Sequence, residues 1–409
     1  VTTDLVPKEF YPEILKNKAQ VKEWKELGFE AVKSAKDLKE RKLAVDTKHF
    51  GDGFKERLLE KLTEKADLDD LLDGLVIKSE NWQGLNLLTG KYREKVKCIY
   101  IDPPYNTGGD EFIYRDRYLH SSWLTMMSDR LLLGRNLLNF DGVAFFHVDE
   151  HEHRNLRLLI TYVFGEENYL APFIWMARAG KTVTQRGIQI SHEHLESVAK
   201  SLSDVKVRLV EKEVVGCRYR DDKGPYNREL LRQWGGQHDR REERPTLYFP
   251  IRTPFGVDAY PIRPDGTDGC WRANRDAVSR MLDRGDLDFV RNEETGEITV
   301  YRKIRQGTVT VSAPTNILSE YGTSATATRE LQAVLGQPMF QTPKPTTLAM
   351  HCMKLTYLEN EQLALDFFAG SGTTAHAVIN LNREDGGRRK YILIEMANYF
   401  ETVLLPRIK

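Results

Sequence analysis

Four short apolar runs constrain the fold of this chain more than any other feature of its sequence. They are KVKCIYID (95–102), DGVAFFHVD (141–149), QLALDF (362–367) and YILIE (391–395). Each is rich in large apolar side chains and ends at an acidic residue or a turn, which is typical of strands buried on both faces of a parallel sheet. Helical patterns lie beside these runs, so the alternation predicts a doubly wound α/β domain.

The composition excludes several classes of protein. The 409 residues include 60 basic and 60 acidic side chains, which excludes a histone-like polycation or an acidic tail but not a local DNA-binding patch. Four widely separated cysteines without a CxxC pair predict neither a disulfide scaffold nor a thiolate zinc site, and they favour a reducing cytoplasm. We expect no membrane contact, because no signal sequence or long apolar stretch is visible.

The sequence predicts four segments. Residues 1–94 have a charged, helical pattern and form an N-terminal arm. Residues 95–205 and 336–409 contain the apolar runs and form the two halves of the α/β domain. Residues 206–335 are rich in Arg, Gly, Pro, Asp and Thr, with short β-like pieces between turn signals, so we expect an inserted β-rich domain there.

The strongest local motif is Asp102-Pro103-Pro104-Tyr105, which directly follows the first apolar run. Two prolines cannot continue a strand, so the chain must turn here in a rigid, extended form. Asp102 and Tyr105 then project from the carboxyl end of a strand, where open α/β sheets bind ligands. A strand-ending turn with a packed tyrosine is the alternative interpretation of the same residues.

The second motif, DFFAGSGTT (366–374), is predicted to be a strand, a glycine loop and the start of a helix. Gly370 and Gly372 allow a ligand to approach the backbone, and the helix N-terminus offers unbonded N–H groups. The loop is neither GxGxxG nor a P-loop, so it indicates only a small nucleoside-like ligand, or a tight turn without one. Glu395 ends the next strand, where an acid can accept hydrogen bonds from ribose hydroxyls.

DPPY followed by FAGSGTT resembles the DNA amino-methyltransferases that use S-adenosylmethionine, in the order of their β type. Longer strings resemble the modification (Mod) subunit of type III restriction-modification systems over residues 75–405; they are YIDPPYNTG, SSWLTMMSDRLLLGRNLL, RPTLYFPI, TPKPTTL, DFFAGSGTTAHAVINLN and YILIE. The resemblance implies a doubly wound methyltransferase sheet with DPPY and the glycine loop on adjacent strands, and a target-recognition domain at 206–335. It also implies methylation of adenine N6 in duplex DNA.

The resemblance also implies roles for individual residues. Asp102 and the Pro103 carbonyl would hold the amino group of a flipped-out base, with Pro104 completing the turn and Tyr105 stacking on the base. The residues expected to bind S-adenosylmethionine are Lys344 of TPKP, Asp366, Phe368, Ala369, Gly370, Ser371, Gly372, Thr373 and Glu395. The arginines expected to contact DNA are Arg218, Arg220, Arg232, Arg240, Arg241 and Arg244, although a solvated charged surface explains part of this set.

No metal is implied by this chemistry. The stretch DEHEH (149–153) is interpreted as the start of a helix, and HEH (192–194) as a structural segment at a strand edge. The partners implied by the resemblance are double-stranded DNA, a second copy of the chain and a helicase-nuclease (Res) subunit.

Three alternatives stay open at this point. Cytosine-N4 methylation uses the same acceptor geometry, although Asp at the first motif position is commoner in adenine enzymes. A DNA-recognition subunit without catalysis is opposed by the intact DPPY, glycine loop and Glu395. A nicotinamide-dependent dehydrogenase explains the glycine loop but leaves DPPY unexplained.

Overall fold

The computed structural model describes residues 1–29, 32–64, 66–107, 119–178, 180, 187–235 and 238–409. The chain divides into two compact units. The first unit is Val1–Arg208 together with Thr315–Lys409, and the second is Leu209–Pro314. Among the described helices, none is long and apolar enough to cross a lipid bilayer.

The N-terminal part of the first unit is helical as far as Leu71, whereas Gly74–Lys78, inside the segment expected to be an arm, is already a strand of the large sheet. Its helices are α1 (Tyr11–Lys16), α2 (Lys18–Glu26), α3 (Ala35–Arg41), α4 (Phe54–Thr63) and α5 (Leu68–Leu71). Asn17 caps α2 by accepting the backbone N–H of Ala19 and of Gln20, and Ser34 caps α3 through a capping box. The large side chains of Trp24 and Phe54 are buried in a separate apolar core of these helices.

Strands and helices then alternate. The elements are β1 (Gly74–Lys78), α6 (Asn81–Tyr92), β2 (Val96–Ile101), α7 (His120–Leu137), β3 (Leu138–Val148), α8 (His153–Phe164), β4 (Tyr169–Trp175) and β5 (Glu193–Ala199). Every residue of β2 is buried. Its alternate side chains belong to two different cores. Cys98 and Tyr100 belong to the core that contains Leu348 and Val378, and Ile99 and Ile101 to the core that contains side chains of α6, α7 and α8.

The second unit is rich in β-structure. It contains β6 (Val210–Glu213), β7 (Tyr219–Asp221), β8 (Gly224–Leu230), β9 (Ile251–Arg252), β10 (Asp258–Ala259), α9 (Arg275–Asp283), β11 (Leu287–Arg291), β12 (Ile298–Arg305) and β13 (Val309–Ser312). Four strands form an antiparallel sheet in the order β11-β12-β8-β7. Trp271, Phe249 and Val278 are buried in the core of this unit.

The chain then returns to the first unit. The remaining elements are β14 (Ile317–Leu318), α10 (Ser324–Leu335), α11 (Thr346–Leu355), β15 (Leu363–Asp366), α12 (Thr373–Asp385), β16 (Lys390–Glu395) and α13 (Leu405–Ile408). The large sheet has the strand order β1-β16-β15-β2-β3-β5-β4-β14. Its five strands from β1 to β3 are parallel, whereas β5 is antiparallel to both β3 and β4. The predicted doubly wound α/β fold is confirmed, and β2 and β15 are neighbours.

Candidate active site

A cavity of about 400 Å³ lies at the carboxyl ends of the central parallel strands of the first unit. Its walls come from the turn after β2, the loop after β15 and the end of β16. The predicted residues that line it are Asp102, Pro103, Pro104, Tyr105, Lys344, Asp366, Phe368, Ala369, Gly370, Ser371, Thr373 and Glu395. Of the site residues predicted in the first unit, only Gly372 does not line it. The two motifs therefore open onto one space, where doubly wound sheets hold their ligands.

The glycine loop needs left-handed backbone at two positions. Gly370 has a φ of 53° and Gly372 a φ of 82°, a region that other residues adopt only with strain. A Cβ at Gly370 would also lie 3.3 Å from the ring of Phe340, which lines the cavity. The loop leads into α12 at Thr373, so the first N–H groups of that helix face the same region of the molecule.

Asp366 and Glu395 hold the glycine loop in place. Asp366 accepts the Phe368 N–H at 3.0 Å and the Thr374 hydroxyl at 2.6 Å, while burial raises the pKa of Asp366 to about 7. Glu395 accepts three backbone N–H groups, that of Gly370 at 2.9 Å and those of the two residues that follow Glu395. The strand-ending acid expected beside the loop is therefore bonded directly to it.

At the DPPY side of the cavity, Asp102 forms an ion pair with Lys344. The Lys344 Nζ lies 2.6 Å from Asp102 Oδ2, and its side chain is only 7% exposed. Burial acts to raise the pKa of Asp102, but the Lys344 ammonium and the other polar neighbours of Asp102 together hold that pKa below its usual range. Among the described residues, Asp102 Oδ1 has no hydrogen-bond partner. Asp102 is thus an ionised carboxylate with accepting capacity left.

The DPPY turn is held by side chains outside the motif. The Pro104 carbonyl accepts the Trp123 Nε1–H from α7 at 2.9 Å. Asn106 adopts a left-handed conformation with a φ of 60° and donates from Nδ2 to the buried Glu152 at 2.7 Å. The turn is therefore fastened on both sides, and a residue fastened in this way can orient a ligand without further rearrangement.

Two side chains of this region are not indicated by the sequence: one lies in the cavity wall and the other packs behind it. Glu193, the first residue of β5, lines the cavity and accepts the Tyr105 hydroxyl at 2.9 Å. His147 lies behind the wall, where its Nε2 is 2.7 Å from the Tyr100 hydroxyl and burial lowers its pKa to about 3. Both residues occur in strands far along the chain from their partners, so no local spacing could have indicated these contacts.

The stretch 149–153 leads into α8, which begins at His153. The fold also brings two groups of ligand-type side chains close together there, one with His120 and Glu152 and one with Glu150 and His194. These side chains already form histidine–carboxylate hydrogen bonds, at 2.8 Å and 2.9 Å respectively. Such pairs satisfy both partners, so we assign no metal to them.

The six predicted DNA-contacting arginines all lie in the second unit. Arg241 forms an ion pair with Asp268 at 2.7 Å and lies 4.2 Å from the Tyr248 ring. Arg232 lies 5.9 Å from the ring of the exposed Trp234. The other four are Arg218, Arg220, Arg240 and Arg244; like Arg232, they form no ion pair with any residue that the structure describes.

Comparison with known proteins identifies the class. A family model described as DNA methylase matches residues 96–404, and the chain belongs to this family. It is 32% identical to the EcoPI Mod subunit, a type III restriction-modification enzyme of Escherichia phage P1, with 78% of this chain and 57% of that protein covered. It is 29% identical to the StyLTI Mod subunit of Salmonella typhimurium, with 78% and 52% covered. The chain thus spans a little over half the length of these two relatives.

Two further similarities were found. The type II methyltransferase M.KpnI of Klebsiella pneumoniae is 27% identical, with 82% of this chain and 84% of that protein covered. Among solved structures, the cytosine-N4-specific PvuII DNA methyltransferase has a TM-score of 0.42 and 14% identity, with 82% of this chain and 86% of that chain covered.

Proposed function

We propose that this chain transfers a methyl group from S-adenosylmethionine to the exocyclic N6 of an adenine flipped out of duplex DNA. One observation carries the proposal: the DPPY turn and the glycine loop, far apart in the sequence, line a single cavity from neighbouring strands. Membership of the DNA methylase family and similarity to proteins named Mod subunits support it.

The cavity residues fit S-adenosylmethionine. This cofactor carries a sulfonium cation and ribose hydroxyls, and it supplies an electrophilic methyl group when bound. Because Gly370 has no side chain, the cofactor can approach the loop backbone closely; a Cβ at this position would press on Phe340. Asp366 and Glu395 are acids on the cavity wall, suited to a cation and to hydroxyl donors respectively. The loop residues 368–373 and Glu395 would hold the cofactor.

Asp102 and Pro103 would act on the base. The exocyclic nitrogen of adenine is a poor nucleophile, because its lone pair is delocalised into the ring. Acceptance of its two N–H groups by the Asp102 carboxylate and the Pro103 carbonyl favours a pyramidal nitrogen with its lone pair directed at the methyl group. The Pro104 carbonyl already accepts Trp123 Nε1–H, which supports Pro103 as the acceptor. In the transfer, the nitrogen–carbon bond would form as the sulfur–carbon bond breaks. The sulfur would leave as an uncharged thioether, and the proton lost by the amino group would pass to water.

Tyr105 would stack on the base once it has left the duplex. Its ring lies on the cavity wall, and its hydroxyl is turned toward Glu193. Adenine is proposed over cytosine because Asp102 is the first residue of the motif and because the Mod relatives are similar over most of this chain. Cytosine N4 is the alternative target, since the acceptor geometry is the same.

The partners follow from the same proposal. The proposed substrate is double-stranded DNA, and the proposed location of the enzyme is the cytoplasm. Two relatives are named Mod subunits of type III restriction-modification enzymes, which supports a restriction (Res) subunit as a partner. We also infer a homodimer from the resemblance to β-type enzymes.

The decisive experiment is methyl transfer from isotope-labelled S-adenosylmethionine to mixed-sequence duplex DNA, followed by digestion and mass spectrometry of the nucleosides. We expect labelled N6-methyladenosine. Labelled N4-methylcytosine would leave the proposed mechanism in place but identify cytosine as the target base. Absence of label, with the cofactor bound in a separate titration, would contradict the enzymatic proposal and favour a DNA-recognition subunit without catalysis.

A further inference from the structure

Glu193 contacts both Tyr105, the residue proposed to stack on the base, and Lys344, the partner of Asp102. The Glu193 side chain lines the cavity and is 20% exposed. Glu193 Oε2 accepts the Tyr105 hydroxyl at 2.9 Å and lies 3.4 Å from Lys344 Nζ. Lys344 in turn lies 2.6 Å from Asp102 and 5.1 Å from the centre of the Tyr105 ring. The four side chains therefore form one connected network.

The backbone on both sides of this network is fixed. Glu193 lies in β5, which is bonded to β4 and β3, and it pairs with Trp175 of β4. Tyr105 follows two prolines in the fastened turn. The turn sets the position of the Tyr105 Cα but leaves the two side-chain torsions of Tyr105 free to rotate. A hydrogen bond at the far end of the ring removes this rotational freedom. The hydroxyl contact with Glu193 is that bond.

Lys344 is shared between two carboxylates. Burial acts to lower the pKa of Lys344, but Asp102 and Glu193 together raise it, so the ammonium stays charged inside the wall. A lysine held from two sides keeps a fixed position, and it therefore presents Asp102 with a fixed partner. Loss of Glu193 would leave both the lysine and the tyrosine ring with fewer constraints.

We propose that Glu193 is a positioning residue for methyl transfer, which orients the Tyr105 ring and Lys344 so that the base meets Asp102 in a single arrangement. This inference rests on the proposed function and deepens it. Glu193 acts through Tyr105 and Lys344 and takes no part in bond making.

Glu196 provides a matched control on the same strand. Its carboxylate accepts the Tyr169 hydroxyl at 2.5 Å and lies 3.2 Å from Arg157, so it too pairs with a tyrosine and a cation, and it has His153 at 2.7 Å as a third partner. Glu196 does not line the cavity. Glu196→Ala therefore measures the purely structural contribution of a tyrosine–carboxylate bond. Any additional effect of Glu193→Ala is particular to the cavity.

The test is a double-mutant cycle of Glu193→Ala and Tyr105→Phe, with kcat, the KM for DNA and the Kd for S-adenosylmethionine measured for each variant. A lost hydrogen bond of ordinary strength lowers kcat by about tenfold, and coupled residues lose little more together than singly. We therefore expect about a tenfold loss in each single variant, no further loss in the double variant and an unchanged cofactor Kd. Glu193→Gln keeps an acceptor and should recover part of kcat, which also covers the case that the alanine variant fails to fold.

A fluorescent base gives the second readout. The duplex carries 2-aminopurine at the target position of the site mapped from the methylated product. Stacking on Tyr105 quenches this base, so Glu193→Ala should give a brighter complex than the unaltered chain, and Glu196→Ala should not.

Three results would overturn the inference: an unchanged kcat in Glu193→Ala, an approximately hundredfold loss in the double variant, or an equal loss of kcat in Glu196→Ala. If the unaltered chain transfers no methyl group at all, the proposed function itself fails, which is a different and distinguishable result.

Discussion

Asp102 retains its charge in the cavity wall because Lys344 lies against it, and this pairing leads to a first prediction. Asp102→Ala removes the proposed acceptor of the amino group but leaves the glycine loop intact. We expect methyl transfer to fall by at least about a hundredfold, the usual effect of losing one group that stabilises a transition state. The Kd for S-adenosylmethionine, measured by calorimetry, should change little.

Asp141→Ala is the control for this prediction. Asp141 also pairs with a buried lysine, Lys97 at 2.6 Å, but it does not line the cavity. The Asp141→Ala variant should be less stable than the unaltered chain but should keep its methyl-transfer activity. Near-normal transfer by Asp102→Ala would contradict the assignment of the amine site.

Asp366 leads to a prediction about pH. Burial raises its pKa to about 7, so in the free protein this carboxyl holds a proton below that pH. A bound sulfonium cation favours the carboxylate and lowers the pKa, so binding releases a proton. Affinity for S-adenosylmethionine should therefore rise as the pH increases toward about 7 and level off above it.

Calorimetry at about pH 6 in two buffers of different ionisation enthalpy measures this proton. We expect proton release from the unaltered chain and none from Asp366→Asn. Equal apparent enthalpies in both buffers for the unaltered chain would show that Asp366 does not titrate on binding.

For individual residues, the sequence predicts which ones form the motifs but not which side chains they contact. The resemblance places Lys344 near the cofactor, whereas the structure shows its ammonium against Asp102, 242 residues away in the chain. The contact between Tyr105 and Glu193 likewise joins two distant segments. Local patterns carry information about neighbours along the chain, and contacts of this kind depend on the assembled sheet.

The four apolar runs correspond to β2, β3, β15 and β16, because a strand buried on both faces must be apolar throughout. The sequence places HEH (192–194) at a strand edge but does not predict β5 as a strand of the sheet. This strand carries the buried polar residues Glu196 and Ser197, which accept or donate hydrogen bonds within the sheet. A strand with satisfied polar groups does not show an apolar run, so the antiparallel part of the sheet was missed.

Two glycines of α6 lead to a prediction about stability. A Cβ at Gly84 would lie 2.9 Å from the Ile394 side chain of β16, whereas a Cβ at Gly90 would have no atom within 4 Å. Both Ala substitutions gain the same helix propensity, but only Gly84→Ala overpacks the helix against the sheet. We expect Gly84→Ala to have a free energy of unfolding about 1–3 kcal/mol below that of Gly90→Ala.

Denaturant unfolding of the two variants measures this difference. Gly90→Ala serves as the control, since it is exposed in the same helix. Equal stability of the two variants would mean that α6 can move away from β16 at little cost.

For the molecule as a whole, the charge balance of zero conceals an uneven distribution of cations. Arg218, Arg220, Arg240 and Arg244 have no carboxylate partner among the described residues, while Arg252 and Arg272 are paired with Asp258 and Glu229. Each arginine that meets a DNA phosphate adds about 0.9 to the salt dependence of binding. Replacement of these four arginines by Gln should therefore weaken DNA binding and flatten its dependence on salt.

Fluorescence anisotropy with labelled duplex DNA at several salt concentrations measures both quantities. The double variant Arg252→Gln, Arg272→Gln is the matched control and should keep the original slope. An unchanged slope in the fourfold variant would exclude these arginines from the DNA contact.

The position of β15 beside β2 also has a consequence for synthesis on the ribosome. The strand β15 is made about 260 residues after β2, so at ~5–20 residues per second β2 waits roughly 15–50 s for this neighbour. Throughout that interval, one edge of a strand destined for full burial offers unbonded N–H and C=O groups to any other strand. The order of the two motifs in the gene thus sets how long the nascent chain needs protection from aggregation.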